Sequence, residues 1–486
     1  MVAAKDFIVA IELGSSKMTG IAGQKNLDGS ITVLSVVKED SSLFIRKGVV
    51  YNIDKTAQCI TSIIKRMEAA LKRQITQVYV GVGGQSVRSV RNVITRDLPH
   101  DTIITQNMVV DLMEGNRNMQ YPDQVILDAA EQEYKVDTQY QLDPVGIQAT
   151  HLEGNFLNIL QRKTFWKNLN ICFETAKISI AEIYTAPLAL AESVLTEAEK
   201  RSGCALVDIG ADTTTVSVYS KNLLRHLAVI PLGGANITKD IATSLRMEER
   251  DAEAMKLKYA SAYTENSEID NSLTYPIDSS HSVESRRFIE IVEGRLEEII
   301  ENAWYQIPSE FSDKLLGGII ITGGGANMKN IEKAFINHTH IDKVRLAKFV
   351  NQTINGGNDD IKAHNGMMNT VLGLLIKGEF NCAGVAIDPN GDLFSSATPK
   401  PAQPSPADNR KPRQGFETPT GVVRTEAERQ KAEEEARLKR EEEERIAREQ
   451  AEAEAAERER IKHENSPWNK FVKGMRKFGK IIVEEE

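Results

Sequence analysis

A weak internal repeat constrains the fold of this chain more than any other feature. One copy opens with FIVAIELGSSKMTGIAG and ITVLSVVKED, which reads as a strand, a tight Gly-Ser turn, a second strand and a third. A helix is expected at 54–73, followed by the strand QVYVGVGG. The other copy opens with CALVDIGADTTTVSVYSKN and LLRHLAVIPLGG, with a helix from about 236. Both copies close the first strand on an acid, an aliphatic residue and a glycine: Glu12-Leu13-Gly14 and Asp208-Ile209-Gly210. A third element, GIIITGGGANMKNIEKAF, reads as a buried strand, a glycine triplet and a helix. Two meander-plus-helix halves facing a cleft predict an α/β protein built by duplication.

Such a cleft suits a nucleotide. Each Gly/Ser/Thr-rich turn presents backbone N–H groups, and concave arrays of amides bind phosphate oxygens. Gly14, Ser15, Ser16 and Lys17 are expected to form one phosphate turn, with Lys17 as counter-charge; Gly210, Asp212, Thr213 and Thr214 form the other. Glu12 and Asp208 are then placed to hold a hydrated Mg²⁺, an ion that keeps several waters and leans on one or two carboxylates. The triplet Gly323, Gly324, Gly325 lets backbone approach a flat ring closely. Each signal alone is an ordinary hairpin or turn; their order, with two matched acids, is what points to a nucleotide.

Composition excludes several classes. A net charge of −9 argues against a general nucleic-acid binder. Cys59, Cys172, Cys204 and Cys382 are too dispersed for a disulfide framework or a CxxC metal site, which fits a reducing compartment. The opening MVAAKDFIVAIELG reads as no signal peptide, because its apolar run is broken by Asp6 and Glu12. No apolar run approaches the ~20 residues of a membrane span.

Beyond about residue 384 the regime changes. Residues 385–424 are rich in Pro, Ser and Gly and read as a disordered linker. Residues 425–464 are strong helix formers with interleaved charges, including the i, i+4 pairs Glu433–Arg437 and Glu444–Arg448. Apolar residues there (Leu438, Ile446, Ile461) are too sparse for a coiled-coil seam, so a solvated single helix is expected. The last segment, 465–486, gathers Trp468, Phe471, Val472, Met475, Phe478 and Ile482 on one helical face. Lys470, Lys473, Arg476, Lys477 and Lys480 lie around the other. A helix docked on the protein's own core needs no such basic face, whereas an interfacial helix on an anionic bilayer does. As a coil the linker spans ~35 Å and the charged helix adds ~60 Å, a tether of up to ~100 Å.

The two phosphate turns with IIITGGG resemble the actin, chaperone-ATPase and hexokinase superfamily, and further segments narrow the resemblance to the FtsA family. VYVGVGGQSVRSV followed by DPVGIQATHLEGNFLNIL is similar to that family's inserted domain. SVLTEAEKRSGCALVDIGADTTTVSVYSKNLLRHLAVIPLGG resembles its second phosphate region throughout. RDAEAMKLKYASA matches its ribose-side helix, and the closing amphipathic helix is also similar. The resemblance covers about 5–384 and the last twenty residues, but neither the linker nor the charged helix.

It implies an actin-like fold with one half at 1–85 and 165–192, an inserted subdomain at 86–164, a second half at 193–240 and 318–384, and a smaller subdomain at 241–317. It implies ATP and Mg²⁺ as cofactors, with Glu253 and Lys256 near the ribose, and Gly233, Gly234 and Met328 joining the nucleotide site. It further implies self-polymerisation, a peripheral position on the cytoplasmic face of the cell membrane at the division site, anionic lipids and other division proteins as partners, and the C-terminal peptide of the tubulin-like FtsZ on the smaller subdomain. Arg286, Arg287 and Arg295 are candidates for that acidic peptide, or form an ordinary solvated helix face.

The departures bear on activity. Position 12 is Glu where most of the superfamily has Asp, and Ala211 and Asp212 replace two common glycines. In TAPLALA the residue before the proline is Ala186, where related ATPases carry a glutamate. A water attacking a phosphate needs a positioned polar group, worth about 10²–10⁴ in rate. Glu182, one turn earlier, either serves or is an ordinary solvated residue. ATP binding with slow hydrolysis at most is therefore expected, and no catalytic residue is assigned. Two other classes share the fold: a PilM-like pilus-assembly adaptor that binds a partner peptide, disfavoured by the terminal amphipathic helix, and an ATP-hydrolysing chaperone or sugar kinase, disfavoured by Ala186.

Overall fold

The computed structural model describes residues 6–277 and 281–387. The chain divides into a body, residues 1–422, and a C-terminal unit, 423–486. The charged helix, the amphipathic helix and all but the start of the linker lie outside the described residues.

Two sheets carry the body. The first has six strands in the order Ser179–Thr185, Gln77–Val82, Ile8–Leu13, Lys17–Lys25, Ile31–Asp40 and Ile354–Asn355. Ile8–Leu13, Lys17–Lys25 and Ile31–Asp40 form an antiparallel meander, and Gln77–Val82 and Ser179–Thr185 add parallel strands on its other side. The second sheet repeats that succession as Val344–Leu346, Gly318–Thr322, Cys204–Ile209, Thr214–Ser220 and Leu223–Ile230. The duplication legible in the sequence is thus a duplication of topology. The opening strands IVAIEL and CALVDI sit mid-sheet, covered on both faces, which explains their nearly unbroken apolar runs.

The expected helices form at Ile53–Leu71 and Gly234–Leu245. Asn52 caps the first by accepting from the Lys55 N–H, and the chain leaves it through Lys72 in the left-handed region. Helices Ala186–Val194 and Asn369–Lys377 pack on each other within a core that takes in residues of both sheets, among them Val9, Ile11, Leu206 and Ile320. Gly373 permits that crossing: a Cβ there would stand 2.5 Å from the Ala189 carbonyl oxygen. A second core joins the far face of the second sheet to Gly234–Leu245, Ser285–Tyr305 and Ile331–Thr339.

A third core belongs to an inserted subdomain, in which helix Gln106–Arg117 packs on strands Arg88–Ile103, Gln124–Val136 and Gln148–Arg162. Its position differs from what chain order suggests. The insertion leaves from the first half, yet its strands extend the second half's sheet into nine strands, through the pair Arg88–Ala228. Polar contacts fasten the join. Ser89 Oγ accepts from the Leu227 N–H at 2.8 Å, Gln132 donates to the Leu224 carbonyl at 3.0 Å, and Glu133 receives both Arg225 (2.9 Å) and Lys221 (3.0 Å).

Hydrogen bonds from Arg225, opposed by burial and aided by Lys221, hold the Glu133 carboxyl down at about 2. An acid whose folded pKa lies below its unfolded value stabilises the fold fully above the unfolded value, near 4.5, and loses that contribution as pH falls toward 2. The difference in unfolding free energy between wild type and Glu133→Gln is therefore expected to shrink by up to ~3 kcal/mol between about pH 4.5 and pH 2. Parallel urea titrations measure it; a constant difference would show that the pair does not hold the join.

Candidate functional site

The two phosphate turns are built alike. A Cβ on Gly14 would meet the Lys17 carbonyl oxygen at 2.5 Å, and one on Gly210 would meet that of Thr213 at 2.9 Å. The Gly210 N–H donates to the Thr213 oxygen at 2.8 Å, closing the second turn. Ser41 braces the first: its hydroxyl donates to the Gly14 oxygen at 2.6 Å and its N–H to the Ser16 oxygen at 3.2 Å. The start of helix Gly234–Leu245 is fastened to the second turn, with the Gly234 N–H on the Gly210 oxygen (2.9 Å) and the Ala235 N–H on that of Ala211 (2.8 Å). Gly233 is needed for that approach, since a Cβ would fall 2.6 Å from the Ala211 oxygen. Thr214 is wholly buried and donates its hydroxyl to the Leu232 oxygen, so it shapes the turn from within.

Glu12 and Asp208 occupy matching places, opposite Thr19 and Thr215 of the neighbouring strands. Each is half-buried as a residue, while protein surrounds its carboxyl. Burial pushes Glu12 up to about 7, the Asp208 charge adds to this, and Lys17 and Lys38 pull it back. Burial likewise pushes Asp208 up to about 6. Two acids whose charged forms are this disfavoured, close enough to repel, are a donor set that a divalent cation relieves. The residues present therefore fit Mg²⁺. Lys17, its own pKa lowered first by burial and then by Lys38, is near enough to Glu12 to pull that acid's pKa down.

Two glycines of the triplet are pressed against the second turn's own strand. Gly323, at φ +90°, abuts the acid: a Cβ would stand 2.3 Å from Asp208 Oδ1. A Cβ on Gly325 would strike the Ile209 side chain at 2.3 Å, so these two glycines make room for neighbouring protein. Only Gly324 is exposed, with Met367 as its neighbour at 3.8 Å. Met328 follows directly, half-buried on the second core. Glu253 and Lys256 pair at 2.7 Å on helix Glu249–Tyr259; Lys256 Nζ also donates to the Gly234 oxygen (3.0 Å) and Thr238 Oγ1 (2.9 Å). They thus stand against the start of Gly234–Leu245, beside the second turn.

Other expected residues lie elsewhere. Glu182 registers with Tyr79 in mid-strand, short of the line Glu12–Gly81–Tyr184, and its carboxylate accepts from the Tyr184 hydroxyl at 2.8 Å. Ala186 instead follows Thr185 at the cleft end of that strand. Arg286 and Arg287 are exposed at the start of Ser285–Tyr305, donating to Asn271 and the Ser244 carbonyl; Arg295 is held by Asp240 at 2.5 Å and by Glu298. The membrane-helix residues from Trp468 to Ile482 lie outside the described residues. Residues that sequence reasoning missed include Ser41, Lys47, Gly48, Thr238 and Met367, each brought to the site by tertiary contact with no local signal.

Two sheets of matched topology, paired turns and paired acids define an actin-like ATPase fold, here with an inserted subdomain. Residues 205–370 match the family described as cell division protein FtsA, and residues 84–160 match the SHS2 domain inserted in FtsA. The cell division protein FtsA of Porphyromonas gingivalis is 32% identical over 66% of this chain and 68% of its own. That of Pseudomonas aeruginosa is 28% identical over 81% of this chain and 94% of its own. A solved PilM–PilN type IV pilus biogenesis complex shares the fold, at a TM-score of 0.54 and 14% identity, covering 79% of this chain and 99% of that one. The chain belongs to the FtsA family of cell division proteins. The PilM likeness is one of fold. Among the described residues, no helix is long and apolar enough to cross a membrane.

Proposed function

We propose that the cleft binds Mg-ATP and that the protein polymerises on the cytoplasmic face of the membrane at the division site, where it anchors FtsZ. The observation that carries this reading is the pair of glycine turns with a buried acid at the foot of each. Glu12 and Asp208 would hold Mg²⁺ through its waters. The amides of the first turn, Gly14–Lys17, and those of Ala211–Thr213 in the second would take the phosphates, while Glu253, Lys256 and Met328 would flank the nucleoside. Bound Mg²⁺ would offset phosphate charge; the chain's own residues bind and orient. Ala186 offers no group to position a water, which supports slow hydrolysis at most.

The terminal helix would act as the membrane foot. One short helix holds weakly, and several on one polymer hold through effective concentration, so polymerisation and membrane binding reinforce each other. Sedimentation with anionic liposomes tests the whole reading: ATP is expected to promote it, and removal of residues 467–486 to abolish it.

For the FtsZ peptide, one candidate is the open groove between helices Gly234–Leu245 and Ser285–Tyr305, lined by Asp240, Ser244, Ile291, Gly294, Arg295 and Glu298, where an acidic side chain would have to displace Asp240 or Glu298 from Arg295. Gly294 supports an occupant. Mid-helix glycine costs ~0.5–1 kcal/mol relative to alanine, yet nothing stands within 4 Å of where its Cβ would be. Nothing among its own neighbours requires the glycine, and close approach of a partner would. Gly294→Ala is expected to raise stability by that amount, and Gly294→Leu to weaken binding of the acidic peptide about tenfold, or ~1.4 kcal/mol. Unchanged affinity for the leucine variant would move the peptide elsewhere, Arg286 and Arg287 included.

A further inference from the structure

Two consecutive amides straddle the mouth of the cleft. The Lys47 N–H donates to Asp212 Oδ2 at 3.0 Å, and the Gly48 N–H donates to Ser15 Oγ at 2.7 Å. One amide therefore reaches each phosphate turn, and the Lys47–Asp212 bond crosses from the first half to the second. Both residues are left-handed, at φ 51° and 71°. The two-residue turn that joins Ile45–Arg46 to Val49–Val50 accounts for both values, and a carboxylate and a phosphate oxygen are equivalent acceptors for the amides it presents.

The pair is fixed from behind by the root of the inserted subdomain. The Gln85 N–H donates to the Lys47 oxygen at 2.8 Å. Gly48 and Gly84 are pressed backbone to backbone: a Cβ on Gly48 would lie 2.4 Å from Gly84 Cα, and one on Gly84 would lie 2.5 Å from the Gly48 oxygen. One residue past Gln85, the Ser86 hydroxyl bonds Gln161 on the returning strand of the insertion, and Gln161 donates to the Gly83 oxygen at 3.3 Å. Asp212, Lys47 and Gln85 thus form a continuous bonded path from the second turn to that subdomain.

We propose that Asp212 is an internal competitor for the terminal phosphate of a nucleoside triphosphate. Its carboxylate holds the Lys47 amide that the phosphate takes over, and the exchange is passed through Gln85 to the inserted subdomain. This rests on the nucleotide reading above. It goes further in making the Lys47–Gly48 pair a reader of triphosphate against diphosphate, and in giving Asp212 a role opposed to that of a ligand.

The test measures Mg-ATP and Mg-ADP affinity by calorimetry on the full chain, with amide hydrogen exchange at Lys47, Gly48 and Gln85. Asp212→Ala is expected to bind ATP about tenfold more tightly with ADP unchanged. Without nucleotide its Lys47 amide should exchange faster than in the wild type, and ATP but not ADP should restore protection there and alter exchange at Gln85. Asp212→Asn keeps an oxygen acceptor without the charge. It is expected to retain wild-type protection of Lys47 while gaining part of the ATP affinity, which guards against a folding defect in the alanine variant. Weaker binding of ATP and ADP alike would make Asp212 a ligand and overturn the proposal. So would unchanged ATP affinity and exchange in both variants when the wild type binds ATP. If the wild type binds no ATP at all, the nucleotide reading has failed and the proposal falls with it.

Discussion

Asp208→Asn is expected to abolish Mg-ATP binding while leaving the fold at least as stable as the wild type. The carboxylate sits at the foot of the second turn, with Gly323 reduced to hydrogen so that its oxygen fits. Burial already disfavours its charged form, lifting its pKa to about 6, and Glu12 faces the same penalty. Such a group is a poor contributor to stability and a good ligand for a cation. Replacing it with an isosteric amide removes the buried charge and one of the two carboxylates available to Mg²⁺. An affinity loss of at least about a hundredfold, ~2.7 kcal/mol, should appear in calorimetry. Thermal unfolding without nucleotide should shift upward or not at all. Loss of affinity together with early unfolding would mean that Asp208 is chiefly structural; unchanged affinity would move the nucleotide out of the cleft.

The second large effect concerns the terminal strip. Phe471→Glu is expected to prevent sedimentation with anionic liposomes at any salt concentration. Burying a large side chain contributes ~1.5–3 kcal/mol, and the substitution both removes that gain and introduces a charge that resists burial. Replacing Lys473 and Lys477 with Gln should act differently, weakening binding by ~2 kcal/mol and chiefly at low salt, because surface attraction is screened. The two variants separate insertion of Trp468, Phe471 and Phe478 from attraction of the basic face. If the chain lacking residues 467–486 still sediments, the strip is a docked helix and the membrane reading is wrong.

Much of the architecture was legible because it rests on local rules. Central strands such as IVAIEL and GIIIT are nearly unbroken apolar runs because both faces are covered, and the turns need glycine where Gly14 and Gly210 meet a carbonyl three residues on. Those signals identified the duplicated halves, the paired turns and the matched acids. The glycine triplet was legible as a close approach but not as to what approaches. Asp208 and Ile209 fill the space beside Gly323 and Gly325, and that requires knowing which strand lies next door.

What the sequence by itself determined is therefore periodic or local: strand and helix identity, turn chemistry, and the order acid, aliphatic, glycine in each half. Tertiary structure alone decided which surfaces meet. The insertion departs from the first half yet pairs with the edge strand of the second, because Leu223–Ile230 offers unpaired backbone and Glu133 meets Arg225 there. Lys47 and Gln85 carry no motif; Lys47 reaches the second turn and Gln85 reaches Lys47 where Gly48 and Gly84 touch. Side-chain pattern reports the environment that a segment needs; which distant segment supplies it is settled by packing, over contacts with no fixed spacing along the chain.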